Sequence, residues 1–493
     1  MFFEGMTGQN MSRINSVWTK NIDYQKRKPL EKELVSDVLV IGGGLCGILT
    51  AKLLSDCGLD TIVLEADTVA SGQTSGTTAK ITAQHGPVYH KFIKQIGREK
   101  ALLYAEANRT AIESYRTMIK DNNIDCDFVS APAYLYTTRE GEELRREFAA
   151  AKELGFDVML TRETELPFKV RDALCFREQA AFDPVKFIAA LSTDLKIYEG
   201  TNVLKVENGT AITEHGSVKA KNIVFCTHYP FINIPGFFFL KMHQERSYVL
   251  ALENIREIDN FKGMYLGIDG AKLSFRPYSK YLLLGGGGHR TGENPAGGKY
   301  DRLRRYADMY YPGNREFAAW SAQDCMTPDG IPYIGGFGKG MYVATGFNKW
   351  GMTSSMVSTE LIRELIVKGE SRYEKVFSPK RLNLRASAGE LATHVSNTFK
   401  GLGKRLLPAS KSDIDALLPG EARIMEYKGR KMGIYKDETG KVYKVPARCP
   451  HLGCQLEWNS DEKSWDCPCH GSRFDYAGHL IDGPAQKDCS KKR

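Results

Sequence analysis

The sequence predicts two folded parts: a large α/β domain with a parallel sheet, then a small antiparallel all-β domain. Three observations carry this expectation. Residues 37–65 run strand, glycine-rich turn, apolar helix, strand, which is the βαβ order of a parallel sheet. From Asp413 the pattern changes to short strands at 422–427, 431–435 and 441–445, parted by turns at Lys428-Gly429 and Glu438-Thr439-Gly440. Beyond them lie two cysteine–histidine loops, Cys449-Pro-His-Leu-Gly-Cys454 and Cys467-Pro-Cys-His-Gly-Ser472.

A chain of 493 residues exceeds one ordinary domain, and its 42% hydrophobic and 26% charged residues suit a globular protein. The densest apolar run, Phe237-Phe-Phe-Leu240, falls far short of the roughly eighteen residues that cross a bilayer. No integral membrane segment is expected. Residues 1–34 form a polar arm without the apolar stretch of a secretory signal. A cytoplasmic location is the expectation, with peripheral membrane association left open. The net charge of +9 comes without a basic patch interleaved with aromatics, so no nucleic-acid partner is expected. Eleven cysteines are present, of which those at 46, 57, 126, 175, 226 and 325 are scattered singly, unlike a secreted disulfide framework. Cys489 reads as a free surface thiol.

The front of the chain carries a nucleotide site. Asp37 to Ile41 reads as a buried strand, Gly42-Gly43-Gly44-Leu45-Cys46-Gly47 as the turn, Ile48 to Cys57 as a helix stopped by Gly58, and Thr61 to Glu65 as the second strand. This is a dinucleotide fingerprint in the Rossmann-like setting it requires. Gly42 permits the tight turn, Gly44 lets backbone approach a pyrophosphate, and Gly47 lets helix and strand pack closely. The helix N-terminus offers unpaired N–H groups to the phosphates, and Leu45 and Cys46 of the turn are expected among the cofactor contacts. Glu65 suits a ribose hydroxyl. A second glycine run, Leu282 to Arg290, lacks the third glycine and reads as a strand crossing the substrate side. Without a second fingerprint, a reductase fed by NAD(P)H is not expected.

The two loops deliver two thiolates, Cys449 and Cys467, and two imidazoles, His451 and His470. That is the ligand set of a Rieske [2Fe–2S] centre. A Cys2His2 zinc site uses the same donors, but zinc does not explain the extra cysteine in each loop or the Gly471-Ser472 that follows.

Those extra features resemble the higher-potential branch of the Rieske family. The resemblance implies a disulfide between Cys454 and Cys469, and a hydrogen bond from Ser472 to a cluster sulfur. It also implies that Gly483-Pro484 is a loop covering the cluster. A disulfide runs against a cytoplasmic location, and burial beside the cluster is what would protect it. Phe474 stands where higher-potential members carry a tyrosine, so one hydroxyl donor is missing. A potential short of the top of the Rieske range of about −150 to +300 mV is therefore expected.

The segment Ser71 to Gly86, rich in glycine and hydroxyls, resembles the post-fingerprint segment of FAD-dependent amine and amino-acid oxidases of the D-amino-acid oxidase superfamily. So do Asn222 to His228, Thr327-Pro-Asp-Gly-Ile-Pro-Tyr-Ile-Gly335 and Met341 to Thr353. With the C-terminal loops, the whole resembles a bacterial fusion of such a flavoprotein with a Rieske domain. The resemblance implies an α/β FAD-binding domain with an interleaved α+β substrate domain over 35–370, a connector over 371–412 with a helix at 382–398 and a basic run at 400–405, and a Rieske domain over 413–493. It implies FAD contacts at Gly72, Thr74, Thr77, Thr78, Val203 and Thr227, and at the helix start Gly351, Met352 and Thr353.

The implied activity is oxidation of a C–N bond of a small amine or amino acid. Electrons would leave FAD through the tethered cluster for an unidentified acceptor, whether carrier protein, quinone or oxygen. Candidate substrate-side residues are Arg276 as a bidentate carboxylate clamp, His289 facing the flavin, and Lys349 stabilising the charge of reduced flavin. Each has an ordinary structural reading beside it: an ion pair, a satisfied histidine, an exposed lysine. His228 and Tyr248 are weaker candidates, and Cys325 is not expected as a covalent flavin tether. Two other classes stay open: a redox sensor or carrier with no dedicated substrate, and a reductase with electrons running from cluster to FAD.

Overall fold

The computed structural model describes residues 14–20, 26–381, 403 and 414–489. The first domain begins with β1 (Glu33–Ile41), α1 (Leu45–Asp56) and β2 (Thr61–Leu64), joined by β3 (Lys196–Tyr198) and β4 (Ser217–Phe225). β1 lies parallel between β2 and β4, and β3 extends the sheet beyond β2. Val38, Leu39 and Val40 are fully buried, because a parallel strand inside such a sheet is covered on both faces.

The second sheet is built from β5 (His243–Glu253), β6 (Met264–Gly267), β7 (Ser274–Tyr278), β8 (Tyr281–Arg290) and, after α2 (Lys299–Tyr310), β9 (Arg315–Met326). Its order is β9-β5-β8-β7-β6, continued by 133–137, 172–176 and 158–161. This interleaved layer sits between segments of the first sheet in sequence, since β11 (Met341–Thr345) returns to pair with β4, and β10 (Tyr333–Gly338) pairs antiparallel with β11. α3 (Gly351–Lys368) then packs on α1, where the Thr50 and Thr359 hydroxyls meet at 3.0 Å.

The small domain holds an antiparallel sheet of β12 (Ala422–Tyr427), β13 (Arg430–Lys436) and β14 (Val442–Pro446). A second sheet follows, of β15 (Glu457–Asn459), β16 (Ser464–Asp466), β17 (Arg473–Asp475) and β18 (Leu480–Asp482). Its core gathers Trp458, Trp465, Phe474 and the cysteines.

One expectation needs correction, that for Cys489, and two segments, the arm and the connector start, are packed on the first domain. The N-terminal arm is partly built into the first domain: Trp18 is buried, and its indole N–H donates to Thr77 O at 2.7 Å. The start of the connector is also packed, with Val376 and Phe377 buried and Arg381 paired to Asp329 at 2.8 Å. Cys489 is not a surface thiol; it is buried in the small domain's core beside Gly478. The helix expected at 382–398 lies outside the described residues, as does the basic run apart from Gly403.

Candidate active site and metal centre

A cavity of about 2090 Å³ opens where the first sheet, the second sheet and the small domain meet. The fingerprint forms its floor. α1 starts at Gly44 with no side-chain cap and no acidic residue in its first turn, so its N–H groups face the cavity with only the Thr74 hydroxyl, 3.0 Å from Leu45 N, in their way. α3 starts the same way, uncapped at Trp350 and with no acidic first turn. Two helix N-termini therefore direct partial positive charge into one space.

Of the expected cofactor contacts, Gly42, Gly44, Leu45, Cys46, Glu65, Gly72, Thr74, Thr77, Thr78, Val203, Thr227, Gly351 and Met352 line this cavity. Gly43 and Gly47 act behind it. Gly43 N donates to Glu65 Oε2 at 2.6 Å, and Asp67 N donates to Oε1 at 2.9 Å, which holds the carboxylate at the rim. Burial raises the Glu65 carboxyl despite those two donors. A Cβ on Gly47 would stand 1.8 Å from Gly42 O, and one on Gly42, at φ +110°, would stand 2.5 Å from Cys226 O. Thr353 departs from expectation: its hydroxyl is turned inward to Thr82 O at 3.0 Å and the His85 ring. Replacing Gly47 by alanine is expected to yield a chain without bound flavin, read as flavin absorbance per chain, because the helix cannot approach the strand.

Arg276 is not a substrate clamp. It is fully buried, stacks 5.1 Å from the Trp18 ring, and commits its two terminal nitrogens to the carbonyls of Thr78 and Phe182. His289 lines the cavity but is held between Tyr248 OH at 3.0 Å and Arg290 O at 2.7 Å, and burial lowers its pKa. Lys349 does face the cavity, at φ +75°, and pairs with Glu245 Oε2 at 2.8 Å. Cys325 and His228 also line it.

Two carboxylates escaped the sequence reading. Glu245 on β5 and Asp324 on β9 are directly opposed across the antiparallel pair and share the cavity with Lys349. Burial opposes ionisation of Glu245, but His243 and Lys349 hold its carboxyl well below the usual range. Asp324, with no such hydrogen bonds, is pushed up to about 6, chiefly by burial. Nothing local in the sequence marks this pair, because strand register brings it together.

The cysteine–histidine loops are near copies of each other. Cys449 N donates to Cys454 O and Gly453 N to Cys449 O, at 2.9 and 3.0 Å. Cys467 N donates to Ser472 O and Gly471 N to Cys467 O, at 2.8 and 2.9 Å. Gly453 and Gly471 each turn at φ +84°, a conformation open to glycine. Cys454 and Cys469 form a disulfide between the loops. Cys449 and Cys467 are buried free thiols in mutual contact, and the His451 and His470 rings stand perpendicular, 5.0 Å apart. Among the described residues, the Nδ1 atoms of both histidines are buried without a partner.

The family FAD dependent oxidoreductase (DAO) matches residues 37–365. The chain belongs to this family. The Rieske [2Fe-2S] domain family matches residues 408–491 of the same DAO chain. Putative Rieske 2Fe-2S iron-sulfur protein YhfW of Bacillus subtilis is 36% identical to it over 490 residues, covering 95% of this chain and 96% of that one. Cytochrome b6-f complex iron-sulfur subunit 1 of a Nostoc species is 49% identical over 45 residues, 9% of this chain and 25% of that one. Glycine oxidase from Geobacillus kaustophilus superposes with a TM-score of 0.61 at 19% identity, covering 71% of this chain and 99% of that structure. L-proline dehydrogenase from P. horikoshii gives 0.60 at 18%, covering 71% and 98%.

The residues fit both cofactors of this DAO–Rieske chain. For FAD, the long cavity has glycine backbone and two helix N-termini along it, and Glu65 at its rim. For the cluster, two thiols and two partnerless Nδ1 atoms converge, and burial pushes His451 to about 4 and His470 to about 3, so both imidazoles are neutral as ligation requires. The disulfide consumes Cys454 and Cys469, and Cys449 and Cys467 are the thiols that would hold the cluster. Ser472 contacts Cys449 and accepts from Ala485 N at 3.0 Å, tying the Gly483-Pro484 loop to the ligands.

Phe474 is fully buried in the same core as the cysteines of the two loops. Phe474→Tyr is expected to raise the cluster midpoint, because a hydroxyl donor stabilises the reduced, more negative state. A hydrogen bond to a charged acceptor contributes ~1.5–3 kcal/mol. Since ~59 mV is a tenfold change for one electron, a rise of about 65–130 mV in a redox titration is expected.

The Rieske domain docks directly on the second sheet. Gln244 Nε2 donates to His470 O at 2.7 Å, Gln323 Nε2 to Gly471 O at 2.8 Å, and Arg290 Nε to Pro468 O at 3.3 Å. His451 Nε2 meets Asn233 Oδ1 at 3.1 Å. The turn between β15 and β16 adds two carboxylates. Asp461 accepts from Gly298 N and Lys299 N, both at 3.0 Å, and so caps α2 of the flavin domain. Glu462 accepts from Arg246 at 2.9 Å, Ser321 Oγ at 2.6 Å and Tyr300 OH at 2.9 Å. Strand alternation separates the roles: Glu245 and Asp324 point one way, Gln244, Arg246 and Gln323 the other.

Proposed function

We propose that the protein is a flavin-dependent dehydrogenase that oxidises a C–N bond of a small amine or amino acid and passes the electrons from FAD through the Rieske cluster to a separate acceptor in the cytoplasm. One observation carries the reading: Asp482, Gly483 and Pro484 of the cluster domain line the same cavity as Gly44, Glu65 and Gly351. A site for the cluster is thereby a wall of the flavin site, and the cluster loop carrying His470 is bonded to the strand next to the cavity through Gln244. Tethering in one chain keeps the two at high effective concentration. L-proline dehydrogenase and glycine oxidase, whose fold the chain shares, are named for amino-acid substrates. Among the described residues, no helix is long and apolar enough to cross a membrane.

The chain's own groups set up the substrate side. Glu245 and Asp324 give it negative charge that draws in a cationic amine, and Lys349 neutralises part of that charge. Arg246, the arginine nearest to them on β5, is neutralised by Glu462. Bound FAD supplies the two-electron oxidation of the carbon next to nitrogen, and water hydrolyses the released imine. The test is anaerobic addition of candidate amines and amino acids to oxidised protein, following flavin absorbance and the cluster EPR signal together. Bleaching of the flavin followed by appearance of the reduced-cluster signal is the expected order. Filling of the cluster first by a reductant, with no amine bleaching the flavin, sinks the reading.

A further inference from the structure

Lys80 lies on a two-residue strand, Lys80–Ile81, that follows the hydroxyl-rich segment and lines the cavity. Its Nζ stands 3.0 Å from Tyr265 O on β6 and 2.5 Å from Ser274 Oγ on β7. Among the described residues, no carboxylate lies within ion-pair reach of it. On one flank its strand pairs with Ala180–Ala181, which bring no charge. On the other, β7 brings Arg276, and the Tyr265 hydroxyl on β6 is turned away to Glu165. Asp183 and Asp127 act on Arg276 and accept from Tyr278 OH at 3.1 and 2.9 Å.

This setting favours an amine over an ammonium. A neutral –NH2 group has two N–H donors and one lone pair. Tyr265 O and Ser274 Oγ take both donors, which leaves the lone pair to the open side, where the cavity is. An ammonium would place a third donor and a full charge there beside Arg276. Burial first, and the Arg276 charge second, push Lys80 down to about 7. Arg276, chosen from sequence as a substrate clamp, instead sets the field in which Lys80 sits.

We propose that Lys80 is the proton acceptor for the ammonium group of the substrate, so that protonated primary or secondary amines are the substrate class this cavity takes. The inference rests on the amine-oxidising reading above. In the step, an N–H bond of the substrate ammonium breaks, a new N–H bond forms at Lys80 Nζ, and the substrate nitrogen keeps the electron pair. No oxidant is consumed. Oxidation of the C–N bond requires that free pair, which becomes the second C=N bond as the electrons of the neighbouring C–H bond leave. Glu245 and Asp324 attract the cation into the cavity, and Lys80 discharges it there.

Two measurements decide this, one without turnover. Trace acetylation of the FAD-loaded protein with acetic anhydride, quantified peptide by peptide between about pH 5 and 11, reads the nitrogen directly. The expected midpoint for Lys80 lies near neutrality, against ~10.4 for ordinary lysines. An ordinary midpoint, or no acetylation of Lys80 at any pH, overturns the proposal. Anaerobic bleaching by the best amine is then compared in wild type, Lys80→Met and Lys80→Arg, each checked for bound flavin. The wild-type rate should rise as pH climbs through neutrality, when the amine form appears. Both variants should lose that limb and fall ~100-fold at neutral pH, a general-base effect. Bleaching of Lys80→Met within about twofold of wild type overturns the assignment. If no amine bleaches wild type, the functional reading fails, and the acetylation profile still decides whether Lys80 is the proton-accepting nitrogen.

Discussion

Replacing Glu462 by alanine is expected to loosen the Rieske domain from the flavin domain while each keeps its own cofactor. Glu462 is the carboxylate that Arg246, Ser321 and Tyr300 converge upon from three elements of the flavin domain. Arg246 is only 1% exposed, so its removal leaves a buried guanidinium without its counter-charge. Breaking one side of a buried pair costs about 3–5 kcal/mol, and about 1.4 kcal/mol is tenfold in an equilibrium. The docking equilibrium constant should therefore fall by a factor of hundreds or more. Flavin and iron content per chain should stay near wild type, while electron transfer from flavin to cluster slows and proteolysis between the domains speeds up. Unchanged transfer and proteolysis would mean the backbone bonds around Gln244 hold the domain alone. The pH dependence has a definite sign. Burial opposes ionisation of Glu462, but Arg246 and Arg473 outweigh it and depress its carboxyl. Its contribution is complete above the ordinary glutamate value of ~4.3 and is lost as pH falls through the lower docked value. Acid should open the contact; base in the neutral range should not.

Cys467→Ala should remove the cluster and leave the flavin. Cys467 supplies one of the two free thiols of the centre, and Cys454 and Cys469 are already joined to each other. The other free thiol of that core, Cys489, lies beside Gly478 rather than in either ligand loop. Iron and sulfide per chain should drop to background, and the EPR signal of the reduced cluster should vanish. Amines should still bleach the flavin, because the cavity wall of glycine backbone and helix N-termini is untouched. Reduction of a one-electron acceptor at the substrate's expense should be lost. Retention of that acceptor activity would show that electrons leave the flavin without the cluster, which is the oxidase outcome.

The parts legible in sequence were those whose chemistry is local. The glycine fingerprint works through one turn and one helix, and the ligand loops through spacings of two or three residues, so Gly42 and Gly44 line the cavity and Cys449 sits in a hydrogen-bonded loop. The two-domain order was legible because strand length and turn density change near residue 413. Arg276 misled because a buried arginine and a substrate-binding one share the same local sequence; only the packing of Trp18 and the carbonyls of Thr78 and Phe182 distinguish them. Glu245 and Asp324 were missed because their opposition depends on register between strands far apart in sequence. Cys489 read as exposed from its lysine-rich surroundings, yet its thiol turns inward to Gly478 O.

The cap that Asp461 places on α2 has a consequence for how the chain is made. A helix start in the flavin domain takes its acceptor from a turn more than a hundred and fifty residues downstream. Domains fold as units in the order they leave the ribosome, so the flavin domain emerges with that helix start uncapped and with Arg246 awaiting Glu462. The cluster domain, synthesised later, completes both. Maturation of the flavoprotein is thus tied to the folding of its iron–sulfur partner, and a chain whose cluster domain fails to form carries an unfinished first domain as the mark of that failure.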